Sequence, residues 1–412
     1  MNASIVLRAK LVAPLCGLAL IVACGGGGAA TSTGGGTTAK ETPKTAQQPA
    51  ATAPAAKTDT TTPPAKTETQ AVTAASPTTA AAAQTATKQR TPKNLGKLTI
   101  SQPSQSLAFA PALIADKKGF FKEEGLDAEI VLAGSGSKAG AAVIGGSAQI
   151  GHSSLDDMVG AVEKGQDLKV FGVGTTGSTT GIVIRRSVVE RLGVSEQTPI
   201  DQRVKALKGL KLAISTPGSG TDQTLRFILN KHGVEPESDV EILTTGSVVN
   251  SLAAYAQGSA DGASLSSPST ETAVLEHDGI NLINTAVGEI PELNNQINTG
   301  FWAAGDWLEQ NPEAATAAVI ALWRGQEFIH QNHAEAAEIV RTEAWANTDP
   351  KVFQLGWDTA LKSIGKSPEV ETAKLQSNID YMGVTSGTPL TIKPEDLGTN
   401  KYFEMAKKEL GR

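Results

Sequence analysis

Beyond residue 24 the chain has no cysteine; the two among its 412 residues are Cys16 and Cys24. That absence removes disulfides and a thiol catalyst from the folded part. Aromatic residues are scarce, at 4%, which limits the stacking surface available to a ligand. There is no dense Lys/Arg stripe, and 36 basic against 42 acidic residues leave a net charge of −6, so nucleic acid is not an expected partner. The five histidines, at 152, 232, 277, 330 and 333, show no HExxH spacing and have no neighbouring cysteine. No metal and no cofactor are expected. His152 has no partner for acid–base work and reads as structural or solvent-facing.

What is present begins at the N-terminus. Arg8 and Lys10 flank an apolar run from Leu11 to Ala23, which is too short to span a bilayer as a helix and suits a secretory h-region. The run ends in Ile21-Val22-Ala23-Cys24. This ending resembles the lipobox of bacterial lipoproteins, with Cys24 as the lipidated residue; an ordinary signal peptide with an incidental cysteine is the plainer alternative. The expected address is the cell envelope, extracytoplasmic and attached to the membrane through lipid on Cys24. Residues 25–94 hold Gly25–Gly28, Gly34–Gly36 and Ala80–Ala83 and no aromatic residue. Such a composition cannot bury enough apolar surface to offset the entropy of ordering, so it reads as a disordered linker. As a flexible coil it would reach about 45–50 Å.

The remaining 318 or so residues exceed what one hydrophobic core usually serves, so two lobes are expected. Short apolar runs alternate with helical stretches, the pattern of an α/β fold with parallel strands. Strands are expected at Leu98–Ser101, Ala128–Leu132, Ala148–Ile150, Leu168–Val173, Gly181–Ile184, Leu210–Ser215, Asp239–Leu243, Gly262–Leu265 and Ile280–Ile283. Helices are expected at Ala110–Lys118, Asp222–Lys231 and Val249–Gln257, and almost continuously from Trp307 onward. Trp307, Trp323, Trp345 and Trp357 read as packing residues, and Trp302 as a candidate ligand wall.

Polar chemistry gathers where the expected strands end, in Ser101–Ser106, Gly134–Ser137, His152–Ser154, Gly174–Thr180, Ser215–Thr221 and Ser264–Pro268. Open α/β sheets bind ligands outside the carboxyl ends of their strands. Glycine there lets backbone approach a ligand, and hydroxyls both donate and accept hydrogen bonds. Thr216–Thr221 opens a helix whose free amides and dipole favour an anion; plain capping by Ser219 or Thr221 would need no ligand. No Gly-Lys-Ser/Thr follows, so this is not a P-loop. Asp156 and Asp157 read as stabilising the N-terminus of the helix they begin, with contact to a cationic or amine-bearing ligand as the alternative.

Pro111-Ala112-Leu113-Ile114-Ala115 leads to Gly119-Phe120-Phe121-Lys122-Glu123-Glu124-Gly125-Leu126. This stretch resembles a signature of the solute-binding proteins of ABC importers, in the branch for sulfonates, nitrate, taurine and thiamine precursors. Gly134–Ser137 with Ile144–Gly151, Leu207–Ala213 with Pro217–Ser219, and Gly258–Ala263 with Pro268 are similar to successive parts of the same family. The chain departs from the pattern at Gln149, where many relatives carry Asp, and Lys138 is the single base in these loops.

The resemblance, which spans residues 97–412, implies an α/β periplasmic-binding-protein (type 2) fold of two lobes, two hinge crossovers and a helical C-terminal part. It implies lobe 1 at 95–181 and 298–412, lobe 2 at 182–297, and crossovers near Thr175–Ile182 and Asn294–Phe301. The ligand contacts it implies in lobe 1 are Ser104, Gln105, Ser135, Ser137, Ser153, Ser154, Thr175 and Thr176. Those in lobe 2 are Ser219, Gly220, Thr221, Ser266 and Ser267, with Asn298 and Thr299 as further candidates at the hinge. The implied function is non-enzymatic: a monomeric binding component with an ABC permease as partner and a small polar or anionic organic solute as ligand. A receptor reporting to a membrane kinase is the alternative. An enzyme like the thiamine-pyrimidine synthases would need a cysteine-rich iron motif, which a cysteine-free domain lacks.

Overall fold

Residues 94–412 are described by this computed structural model. The expected signal peptide, Cys24 and all but the last residue of the expected linker lie outside the described residues. Among the described residues, ten strands form two five-stranded sheets. They are β1 (Gly96–Gln102), β2 (Leu126–Leu132), β3 (Ile150–Ser154), β4 (Leu168–Thr176), β5 (Thr180–Arg185), β6 (Lys211–Ile214), β7 (Glu241–Thr244), β8 (Gly262–Ser266), β9 (Gly279–Asn284) and β10 (Ile297–Ala304). The first sheet has the order β2-β1-β3-β10-β4 and the second β7-β6-β8-β5-β9. Helices separate successive strands in each lobe, and from Gly305 to Leu410 the chain is largely helical.

All nine expected strands are present, but the expectation of parallel pairing needs correction. β1 pairs parallel with β2 and β3, and β6 with β7 and β8, whereas β5 and β10 are antiparallel to their neighbours. The reason is the route of the chain. β5 and β10 are the strands that follow a passage from one sheet to the other, and each enters at the edge where its neighbours end. Thr180 at the start of β5 pairs with Ser266 at the end of β8, and Thr299 near the start of β10 pairs with Ser154 at the end of β3. No helix intervenes on the first passage to turn the strand round, so its direction reverses.

Two further expectations shift. The third strand lies at Ile150–Ser154, C-terminal to the expected Ala148–Ile150, because His152 and Ser153, read as loop, are fully buried strand residues. β10 covers most of the expected return crossover: Ile297-Asn298-Thr299-Gly300 has turn-like composition yet is strand, with Thr299 and Gly300 pairing on both sides.

The first sheet packs Leu98, Ile100, Phe171 and Phe301 against the helix Pro312–Gln331. Another buried cluster joins Val170, Val173 and Trp302 of this lobe with Ile182 and Phe227 of the second. Its bridge is the helix Thr372–Ser386, whose Tyr381 ring lies 4.8 Å from that of Phe227 on the helix Gly220–Lys231. Asn230 Nδ2 of the latter helix donates to the Thr385 carbonyl at 3.0 Å. The two lobes therefore share apolar core beyond their crossovers.

Candidate functional site

The edges at which the parallel strands end and the two crossing strands begin face one another, and between them lies a cavity of about 80 Å³. On the order of half a dozen water-sized groups fill such a volume. The first lobe contributes Pro103, Ser104 and Phe109 after β1, Gly134–Gly136 after β2, and Ser154, Asp156 and Asp157 after β3. The second contributes Ser215, Ser219–Thr221 and Thr224 after β6, Val248 after β7 and Ser266 at the end of β8. The passages between sheets supply Ser178–Thr180 and Gln296–Thr299.

Local chemistry sets each wall. Gly134 has φ +92°, a left-handed conformation that glycine adopts freely, and it turns the chain into the helix Gly136–Ile144. Ser135 caps that helix, accepting from the Lys138 amide at 3.4 Å. In the second lobe, the hydroxyls of Ser215, Ser219 and Thr221 form a closed triangle with sides of 2.8, 2.9 and 3.1 Å. Ser219 sits at the N-cap of Gly220–Lys231, yet its oxygen accepts from no backbone amide of the helix's first turn; its hydroxyl donates to the Thr216 carbonyl at 2.7 Å. Asp222 braces the preceding turn, accepting from the Gly218 amide at 2.8 Å and from Arg226 Nε at 2.7 Å.

Hydrogen bonds cross the cleft. Ser137 Oγ donates to the Pro217 carbonyl at 2.9 Å and lies 3.4 Å from Thr216 Oγ1. Ser106 Oγ donates to the Ser267 carbonyl at 3.1 Å. A Cβ on Gly220 would sit 3.0 Å from Ser154 Oγ, so glycine is what lets the two lobes meet there.

Of the residues implied by the resemblance, Ser104, Ser135, Ser154, Ser219, Gly220, Thr221 and Ser266, with Asn298 and Thr299, line this one cavity. Six others do not. Gln105 is exposed and faces a separate groove beside Lys117 and Trp345. Ser137 stands at the rim, spanning the cleft. Ser153 accepts from Trp302 Nε1 at 3.3 Å, and Thr175 bonds the Thr299 hydroxyl at 2.8 Å, both within the first lobe's interior. The Thr176 amide donates to the Ser363 carbonyl at 2.8 Å. Ser267 is buried and donates to Glu271 Oε1 at 2.8 Å. Trp302 is likewise core rather than wall: its ring fills the space over Gly151, where a Cβ would come within 2.4 Å of it. His152 is buried between Phe109 and Phe301, each ring 4.9 Å away, and burial pushes its pKa down to about 3.

Asp156 and Asp157 are where the cavity's electrostatics concentrate. Both stand in the first turn of the helix Leu155–Val162, as expected, but both also line the cavity. Burial raises Asp156 to about 7, with Ser154, Tyr381 and Asn378 offsetting part of that shift. Burial raises Asp157 to about 8, Ser153 opposing the shift and the negative charge of Asp156 adding to it. Gln296 carried no signal in the sequence, since it lies in an irregular segment ahead of an unexpected strand.

A model of the NMT1-like family matches residues 104–343. The chain belongs to the NMT1-like family. Among curated relatives, YtlA of Bacillus subtilis is 24% identical over 297 residues, covering 71% of this chain and 85% of its own length. The bicarbonate-binding protein CmpA of Synechococcus elongatus is 24% identical over 265 residues, which are 60% of this chain and 57% of CmpA. The match therefore spans little more than half of CmpA. Among solved structures, the periplasmic nitrate-binding protein NrtA of Synechocystis superposes with a TM-score of 0.60 at 17% identity, covering 76% of this chain and 88% of NrtA. That likeness establishes this NMT1-like chain's fold as the two-lobed α/β fold of periplasmic binding proteins.

Proposed function

We propose that this protein is the extracytoplasmic substrate-binding component of an ABC importer, holding a small polar solute between its lobes and handing it to a membrane permease. The observation that carries the reading is the cavity itself, walled by strand ends of both sheets and bridged by hydrogen bonds from Ser137 and Ser106 across the cleft. Among the described residues, its lining includes no Cys, His, Lys or Arg. A group that binds without turning over needs nothing more. The named binding of bicarbonate by CmpA and of nitrate by NrtA supports a small solute.

In this reading lobe 1 is 95–181 with 298–412, lobe 2 is 182–297, and the molecule acts as a monomer tethered through lipid on Cys24. The test is thermal unfolding against nitrate, bicarbonate, sulfonates, pyrimidines, amines and small acids. A cognate solute at 100 times its Kd adds about 2.7 kcal/mol of stability; no shift across the panel overturns the reading. A Cys24→Ala variant is expected in the soluble fraction, and one that still pellets with membranes overturns the anchor.

A further inference from the structure

We infer that the solute is a small amine or amidine whose cationic, N–H-bearing end faces Asp156 and Asp157. This rests on the binding reading above and fixes the charge of the buried end of the cargo. Charge balance is the first argument. The cavity lining holds two carboxyl groups and, among the described residues, no cationic side chain. The other titratable and charged groups packed near the pair supply no cation to it. Tyr381 comes from Thr372–Ser386, and its hydroxyl is held neutral because burial raises its pKa. Asp222 from Gly220–Lys231 is paired with Arg226. Lys138 on Gly136–Ile144 is exposed, and His152 on β3 is buried with a pKa of about 3.

The second argument is hydrogen bonding. Asp156 Oδ2 accepts from Ser154 Oγ at 3.1 Å, but Asp157 Oδ1 is buried without a protein partner. So is Oε1 of Gln296, a residue 3% exposed that lines the same cavity. An amide can turn either end to a ligand, whereas an ionised carboxyl only accepts. Asn298 Nδ2, on the same lining, is likewise buried without a partner and can only donate, so a solute with donors toward Asp157 and Gln296 and an acceptor elsewhere completes this set.

The third concerns where an anion would otherwise go. A Cβ on Gly136 would lie 2.2 Å from both Asp157 carboxylate oxygens, so this acid already covers the first turn of Gly136–Ile144. An anionic group brought to that helix N-terminus would meet a like charge wherever Asp157 is ionised, and could sit there only with the acid kept protonated. Burial without a compensating cation is also what holds the pair near 7 and 8. An arriving cation reverses that, ionises the pair and releases protons.

The test measures binding of ethylamine, acetamidine and 4-aminopyridine against nitrate, bicarbonate and ethanesulfonate, by calorimetry at pH 6, 7 and 8. At least one cation is expected to bind, with affinity rising about tenfold per pH unit for each proton released. Asp157→Asn should weaken it tenfold or more. Because that variant could fold poorly, difference infrared spectroscopy on the unaltered protein supplies a second readout: the protonated carboxyl C=O band is expected to fall as the cation is added. An anion that binds more tightly as pH falls, with the cations inert, overturns this inference and leaves the binding reading standing. Silence from all six and from the broader panel overturns the binding reading, and this inference with it.

Discussion

His152 and Asp156 are four residues apart, both buried, and their burial acts on stability in opposite directions. His152 is held neutral, its pKa lowered to about 3; its contribution is complete above its unfolded value near 6.5 and is lost as pH falls toward 3. Asp156 and Asp157 are raised to about 7 and 8. The native state therefore binds more protons than the unfolded chain between about pH 4 and 8, and their contribution is lost as pH rises through that window. The expected outcome is a urea midpoint that declines toward pH 8, most clearly above about pH 7.5, where the unfolded-state titration of His152 is nearly complete and no longer opposes the decline. Asp157→Asn should flatten the decline, and an unchanged slope would show that Asp157 does not titrate there. The hydroxyl-rich lining was legible in the sequence because it follows strand ends. The part played by the two acids was less so, since an Asp opening a helix looks the same whether it only stabilises that helix or also walls a cavity.

Among the elements, the helix Thr372–Ser386 joins the lobes through its aromatic contact with Phe227. Phe227 is 2% exposed, so Phe227→Ala is expected to cost about 3–5 kcal/mol by chemical denaturation. If the lobes unfold as independent units, the variant will separate the melting curve into two transitions; one cooperative transition would show that remaining shared core still couples them. Nine strands and the main helices were readable from apolar periodicity and turn residues. β10 was not, because a strand buried through pairing on both sides can carry Asn, Thr and Gly when its partners are themselves small and polar, such as Ser153, Ser154 and Thr175. The bridging helix was legible as a helix, but nothing in its periodicity says which lobe it covers.

At the scale of the whole molecule, the hydrogen bonds that close the cleft run from Ser137 to Thr216 and Pro217 and from Ser106 to Ser267. The Leu107 amide also donates to the Ser267 carbonyl at 3.4 Å, so every group in these bonds is a neutral hydroxyl, amide or carbonyl. Salt screens interactions between ions, with a Debye length near 3 Å at 1 M, and has little hold on neutral dipoles in contact. Small-angle scattering in dilute buffer and in about 1 M sodium chloride is therefore expected to give the same radius of gyration for residues 94–412. An increase with salt would mean that charges outside these bonds hold the lobes together. In the role proposed above, a receptor working beyond the cytoplasm has no control over the ionic strength around it. A neutral seam lets this one close to the same degree in fresh water and in brine.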